Sequence, residues 1–283
     1  MKKEGLYVVQ FMHPGREHGL DHGQWNTGTH KRKFLRQKGS WMDGEVVSHG
    51  ELCFWGEWEP PSNVEELGHP DLDLPRYLHR PYLAYPEPFA VCHQNTDPFV
   101  FGEQFLYTTC KQWRQAGPTQ LRFLTTGCII LFGSANGGRF LLDTVLVVGG
   151  WVDHTHANCH VQLDHRVPQA YWPVTLDRLY ANHENQDRCW RLYTGAPFEN
   201  CVNGMYSFFP AKPAVGVLAP RFQRPCLPNI GGVINPQLLQ GVKLTVLNDL
   251  DHAAEIWQKI KEAVEDQGCS LGVHAELPEN GEM

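Results

Sequence analysis

Four stretches carry the side chains that chemistry would need. Between Trp25 and Trp41 the chain reads WNTGTHKRKFLRQKGSW, with His30, Lys31, Arg32, Lys33, Arg36 and Lys38 set among the rings of Trp25, Phe34 and Trp41. Cations neutralise phosphates and release counterions, and interleaved rings stack on bases. This stretch, including the Asn26 amide, is therefore the candidate phosphate-binding element. The competing reading is a solvated loop whose charges only keep it soluble. In Trp55-Gly56-Glu57-Trp58-Glu59 two indoles flank a carboxylate. They suit a pocket wall that sandwiches a base or cation while Glu57 accepts from an exocyclic amine. In a regular strand Trp55 and Trp58 would fall on opposite faces; a bulge at Gly56 is needed to bring them together. Without it, one ring belongs to the core and the other covers an edge.

Asn95-Thr96-Asp97-Pro98-Phe99 has the composition of a turn. The Asn95 amide and Asp97 carboxylate are also of the types that read a base edge. The run HTHANCH gathers His154, His156, Cys159 and His160. These are zinc-ligand types, but their spacing forms no standard ligand pair, so neither a metal nor another cofactor is expected. Cys159 with His154 is a possible catalytic pair, against the plainer reading of an inert thiol. For acid–base chemistry the groups at hand are Glu57, Asp97, Asp143, His30 and His156, and a hydrolase would need at least two of them in one cleft. Gly133–Gly138 lacks the GKS or GKT ending of a phosphate loop and is followed by a strand-like run, so it reads as a hairpin turn with Asn136-Gly137 at positive φ.

The elements that must position these groups are mostly strands. Hydrophobic residues make up 42% of the 283 and charged residues 19%, which suits a packed globule rather than a disordered chain. Twenty prolines and 27 glycines, spread throughout, imply many turns. Formal net charge is -7, so the whole molecule is not an electrostatic magnet for nucleic acid. Locally the balance differs. Residues 1–44 hold eight Lys or Arg against four acids, whereas residues 45–75 hold eight acids and neither Lys nor Arg. Nine cysteines show no CxxC pair, and Met1–Glu4 leads straight into a strand-like run. That pattern predicts reduced thiols, no signal peptide and a cytoplasmic protein. No stretch is long and apolar enough for a membrane span.

The centre of the chain is Thr125–Gly150, where the apolar runs Cys128–Phe132 and Phe140–Val148 predict a β-hairpin. Leu6–Met12 predicts a first strand and residues 15–44 a long loop. Glu45–Val47 and Glu51–Trp58 predict a hairpin around Ser48-His49-Gly50, and residues 60–98 a Pro-rich wrapped loop. Phe105–Gln115 is open between strand and helical turn. Residues 151–204 predict a loop-rich insertion with a short helix near Leu176–His183, and Lys243–Leu247 a last strand. One amphipathic helix, His252–Gln267, is capped by Asp251, buries Ile256, Trp257, Ile260 and Val264, and ends at Gly268. The fold class expected is α+β, mainly β: one globular domain over 1–268, then a disordered tail, 269–283.

Gly127–Ser134 followed by Phe140–Val148 resembles the paired strands of PUA-like domains of the EVE, YTH and ASCH type, with Cys128 where that group commonly has Asp. The resemblance implies a small β-barrel with long loop insertions. It implies a binding module for a modified base or nucleotide, in nucleic acid or free, in a bacterial modification or phage-defence setting. The ligand residues expected are Trp25, Asn26, His30, Lys31, Arg32, Lys33, Trp55, Glu57, Trp58, Asn95 and Asp97. The alternative is a nucleotide-directed hydrolase or nuclease using Glu57, Asp97 and nearby His. A third reading is an interaction protein whose acidic stretch Glu45–Asp73 or C-terminal helix docks a protein partner.

Overall fold

The computed structural model describes residues 3–16, 32–67, 77–83, 96–214 and 223–281. Its strands, in chain order, begin with β1 (Tyr7–Arg16), β2 (Arg32–Asp43), β3 (Val46–Glu57), β4 (Ser62–Glu66) and β5 (Tyr77–Leu83). Short strands β6 (Leu106–Tyr107), β7 (Trp113–Arg114) and β8 (Gly117–Pro118) follow, then the long pair β9 (Ile129–Asn136) and β10 (Arg139–His154). The remainder are β11 (Trp190–Gly195), β12 (Phe209–Pro213), β13 (Cys226–Leu227), β14 (Gly241–Val246), β15 (Ser270–Ala275) and β16 (Glu279–Asn280). Helices are α1 (Cys159–Leu163), α2 (Asp177–Ala181), α3 (His183–Gln186) and α4 (Leu250–Glu265).

The strands form two seven-stranded sheets and one small ribbon. The first sheet runs β14-β1-β9-β10-β11-β6, with β13 added to β10; the second runs β15-β12-β3-β2-β5-β16, with β4 added to β5 and β15 also meeting β2. The architecture is α+β and mainly β, as the sequence predicts, but the expected barrel is not closed. The first sheet ends at β14 on one side and β6 on the other.

The central hairpin is present, with Ile130 opposite Leu146 and Leu131 opposite Val145. Its apolar runs are continuous because both faces of the sheet are covered. Ile130, Phe132, Leu146 and Val148 enter one core with Leu35, Leu52 and Phe54 of the second sheet. Ile129, Leu131, Val145 and Val147 enter another with Ile256, Trp257, Ile260 and Val264 of α4. Each such side chain contributes on the order of 1.5–3 kcal/mol by leaving water. The turn is shifted by one residue from expectation, with positive φ at Gly137 and Gly138 rather than at Asn136.

Several expectations are corrected. The second half of the predicted loop 15–44 is the twelve-residue strand β2. No turn occurs at Ser48-His49-Gly50; β3 is one strand paired with β2 along its whole length, and the reversal lies at Gly44. Gly56 makes no bulge, since it stands opposite Lys33 in unbroken register. Part of the predicted loop 60–98 forms β4 and β5. The stretch 151–204 holds α1, α2, α3 and β11, and β11 belongs to the first sheet. Residues 105–115 resolve into β6, a turn and β7. Helix α4 starts two residues early, with Asp249, not Asp251, accepting from the His252 amide at 2.8 Å. The predicted strand Lys243–Leu247, found as β14, is not the last, because the predicted tail supplies β15, with Leu271 opposite both Pro210 and Met42.

Candidate active site

Two irregularities in the first sheet face each other across β9. On one side, β1 stays in register from Val8 opposite Ile129 to Met12 opposite Gly133, then shifts before Arg16 opposite Ala135. On the other, β10 shifts between Leu142, opposite Gly133, and Thr144, opposite Phe132. His13 lies in the first irregularity and Asp143 is the extra residue of the second. Such interruptions re-aim a side chain away from strand alternation. At this level a side chain on Gly133 would come within 2.2 Å of the Leu141 carbonyl oxygen, so the close approach requires glycine. In the second sheet the register of β2 with β3 sets Arg32 directly opposite Glu57.

The four side chains meet in the interior. Glu57 Oε2 lies 3.1 Å from His13 Nδ1 and 3.2 Å from Arg32 Nη2. The Arg32 guanidinium also pairs through Nη1 with Asp143 Oδ2. Asp143 Oδ1 in turn accepts from Arg224 Nε at 3.0 Å, and Arg224 Nη2 donates to Ser134 Oγ at 2.7 Å. Arg224 also covers the Trp55 ring at 4.8 Å. Arg32 and Asp143 are each 2% exposed, so these charges are tolerable only because each meets an opposite one.

Cys110 extends this network to a nucleophile. Its Sγ lies 3.2 Å from His13 Nε2. Nδ1 of the ring lies 3.1 Å from Glu57 Oε2 and 3.2 Å from Arg32 Nη2; in the tautomer with the proton on Nδ1, directed at the carboxylate, Nε2 presents a lone pair to the thiol. The series Cys110–His13–Glu57 thus has a nucleophile, a base and a group that orients the base, all within hydrogen-bond reach. The backbone holding Cys110 is fixed by Asp97. That carboxylate accepts from the amides of Thr108 (3.0 Å), Thr109 (2.8 Å) and Cys110 (2.8 Å), and from the Thr109 hydroxyl (2.7 Å). Burial pushes the Asp97 carboxyl above its ordinary range, against the four donors that favour its anion. Lys111, the next residue, has φ +61°, a left-handed conformation that is strained for a non-glycine. Its Nζ donates to the Met12 carbonyl at 2.7 Å, tying the turn to β1 just before His13. Cys110 opens onto a cavity of about 230 Å³ lined by Thr109, Arg178, Leu179, Asn182, Asn185 and Trp190.

The predicted ligand residues divide. Trp25, Asn26, His30, Lys31 and Asn95 lie outside the described residues. Arg32 and Lys33 are not on a solvated loop: both are buried, and Lys33 Nζ donates to the Pro60 carbonyl at 3.0 Å and Ser62 Oγ at 3.4 Å. Trp55 and Trp58 sit in different cores, so they form no cage; Trp58 instead donates to the Pro61 carbonyl at 2.8 Å. Glu57 is in the network, and Asp97 braces it as a turn anchor. Glu57 and Asp143 converge through Arg32, whereas His156 packs against the Tyr180 ring, 5.2 Å away, and takes no part.

In the HTHANCH run, Cys159 and His154 form no pair. Cys159 Sγ donates to the His156 carbonyl. His154 is fully buried, with Nε2 3.0 Å from Thr108 Oγ1 and Nδ1 2.5 Å from the Tyr180 hydroxyl. Burial lowers its pKa to about 4. No group of three or more His, Cys, Asp or Glu among the described residues is arranged to hold a metal.

Parts of the surfaces suggested for a protein partner are used internally, while Glu45, Glu65 and Glu66 are exposed. Glu57 and Glu59 of the acidic stretch are buried, and the apolar face of α4 packs on its own core, with Trp257 Nε1 donating to the Tyr206 carbonyl at 2.9 Å.

Sequence reasoning missed His13, Cys110 and Arg224 as site residues. Asp143 had a signal: it is the one carboxylate within the apolar run Phe140–Val148. Comparison with family models, with curated proteins and with solved structures finds no match for this chain.

Proposed function

We propose that the protein is a thiol-dependent hydrolase or acyl transferase with Cys110 as nucleophile, His13 as general base and acid, and Glu57 as the positioning residue. The observation that carries this is the unbroken contact series from Cys110 Sγ through both ring nitrogens of His13 to Glu57 Oε2. His13 Nε2 takes the thiol proton as Sγ attacks a carbonyl carbon. The resulting imidazolium is stabilised by Glu57 and returns that proton to the leaving group as its bond to carbon breaks. Water, or an acceptor alcohol or amine, then releases the acyl group by the same steps in reverse. This keeps the hydrolase reading of the sequence and its use of Glu57 with a nearby His, with Cys110 in place of Asp97 as the reacting group.

A panel of short-chain aryl esters and thioesters, read by turnover and by intact mass, tests the proposal. Wild type should accumulate an acyl adduct on Cys110. Cys110→Ser should abolish the adduct, and His13→Gln should lower turnover by about 10²–10⁴-fold. Turnover unchanged in Cys110→Ser, or no acylation of Cys110 across the panel, would refute it.

Recognition of a modified base or nucleotide is the second reading. It is supported by the paired strands β9 and β10, the hairpin on which the resemblance to PUA-like domains rests. Salt-dependent binding of modified over plain oligonucleotides would favour it, and its absence would end it.

A further inference from the structure

The cavity at Cys110 has an uneven chemistry. Among the described residues its lining holds one cation, Arg178, and no carboxylate; the rest is Thr109, Leu179, Asn182, Asn185 and Trp190. Arg178 Nη1 donates to the buried Glu59 Oε2 at 3.3 Å, which steadies the guanidinium at the wall. Its other donors meet no acceptor among the described residues, and its side chain is 29% exposed. Asn185 is spent internally, donating to the Leu179 carbonyl and accepting from Arg188. Asn182, exposed at the rim of the cavity, accepts from the Glu184 amide through its oxygen at 3.1 Å, and its NH2 has no acceptor among the described residues. Beyond the Glu59 carboxylate on Nη1, the remaining guanidinium donors meet no anion in the lining among the described residues, and beside a thiol they are a site for an acceptor of negative charge. A planar guanidinium fork matches a carboxylate in two parallel bonds.

We propose that the substrate of Cys110 is a small acyl compound bearing a carboxylate, which Arg178 holds in this cavity while the electrophilic carbon faces the thiol. The inference rests on Cys110 being the nucleophile. Asn182 supplies a second donor, and Trp190 and Leu179 cover the short carbon chain between the two ends.

Alkylation of the full-length protein tests it, using iodoacetate as the anionic reagent and iodoacetamide as the neutral one. In both, the sulfur–carbon bond forms as iodide leaves, and the thiol proton passes to His13. Peptide mass spectrometry gives the iodoacetate-to-iodoacetamide rate ratio at Cys110, with the exposed Cys201 as internal reference. The ratio at Cys110 should exceed that at Cys201 by about tenfold, equivalent to about 1.4 kcal/mol. Arg178→Gln should bring the two within about twofold of each other, and Arg178→Lys should retain part of the preference. In wild type, added propionate should slow iodoacetamide at Cys110 and not at Cys201. A preference unchanged in Arg178→Gln, or propionate that protects neither thiol, overturns the carboxylate site while leaving the nucleophile standing. Iodoacetamide that labels Cys201 and never Cys110 overturns the nucleophile itself.

Discussion

Replacing Asp143 by Asn removes one negative charge from a buried cluster and changes little else in shape. Asp143 is 2% exposed and takes two guanidinium groups, Arg32 on Oδ2 and Arg224 on Oδ1. After the substitution Arg32 keeps Glu57, and Arg224 loses the carboxylate while keeping Ser134 and the Trp55 ring. Breaking a buried ion pair from one side typically costs about 3–5 kcal/mol, because a charge is left uncompensated away from water. At about 2–4 °C per kcal/mol for a chain near this size, Tm should fall by roughly 6–20 °C. Thermal and urea unfolding followed by circular dichroism measure it. The cause is isolated by a second variant, Arg224→Met, which keeps an apolar chain against Trp55. If Arg224 is the charge stranded by Asp143→Asn, the double variant should be less destabilised than the two singles added, by about 0.5–3 kcal/mol. Additive losses, or an Asp143→Asn protein within about 1 kcal/mol of wild type, would refute the claim that these charges are coupled in the interior.

Two further outcomes follow from the same packing. Burial holds His154 near pKa 4 in the folded protein against 6.5 unfolded, so the unfolded chain takes the proton first as pH falls. Its contribution is intact above pH 6.5 and is lost as pH falls toward 4, about 2 kcal/mol by pH 5. Unfolding free energies from urea titration at pH 7.5 and 5.0 should therefore converge by that amount in His154→Gln relative to wild type, and an equal pH slope in both would contradict it. Gly133→Ala should destabilise by about 1–3 kcal/mol, since its methyl group meets the Leu141 carbonyl oxygen at 2.2 Å. Gly150→Ala, whose nearest neighbour is the Thr194 hydroxyl at 3.5 Å, is the control and should stay within about 1 kcal/mol of wild type by the same unfolding assay.

Local pattern determined the elements whose residues decide their own conformation. The runs Cys128–Phe132 and Phe140–Val148 are rich in β-branched and aromatic residues either side of a Gly/Asn turn, and that local pattern marks the hairpin. Ile256, Trp257, Ile260 and Val264 recur at helical spacing, and that face is the buried one in α4. The basic stretch misled because charge density predicts solvent. Arg32 and Lys33 are instead inside a twelve-residue strand, which became possible only once Glu57 and Asp143 arrived as partners from β3 and β10. Likewise Ser270–Ala275 looks like a tail until β2 and β12 offer it hydrogen bonds. The candidate site was the least legible part. His13, Glu57, Cys110 and Asp143 come from four separate stretches, and two of them are aimed by interruptions in strand pairing. A register shift depends on which strands become neighbours, and that is a property of the assembled sheet rather than of any segment within it.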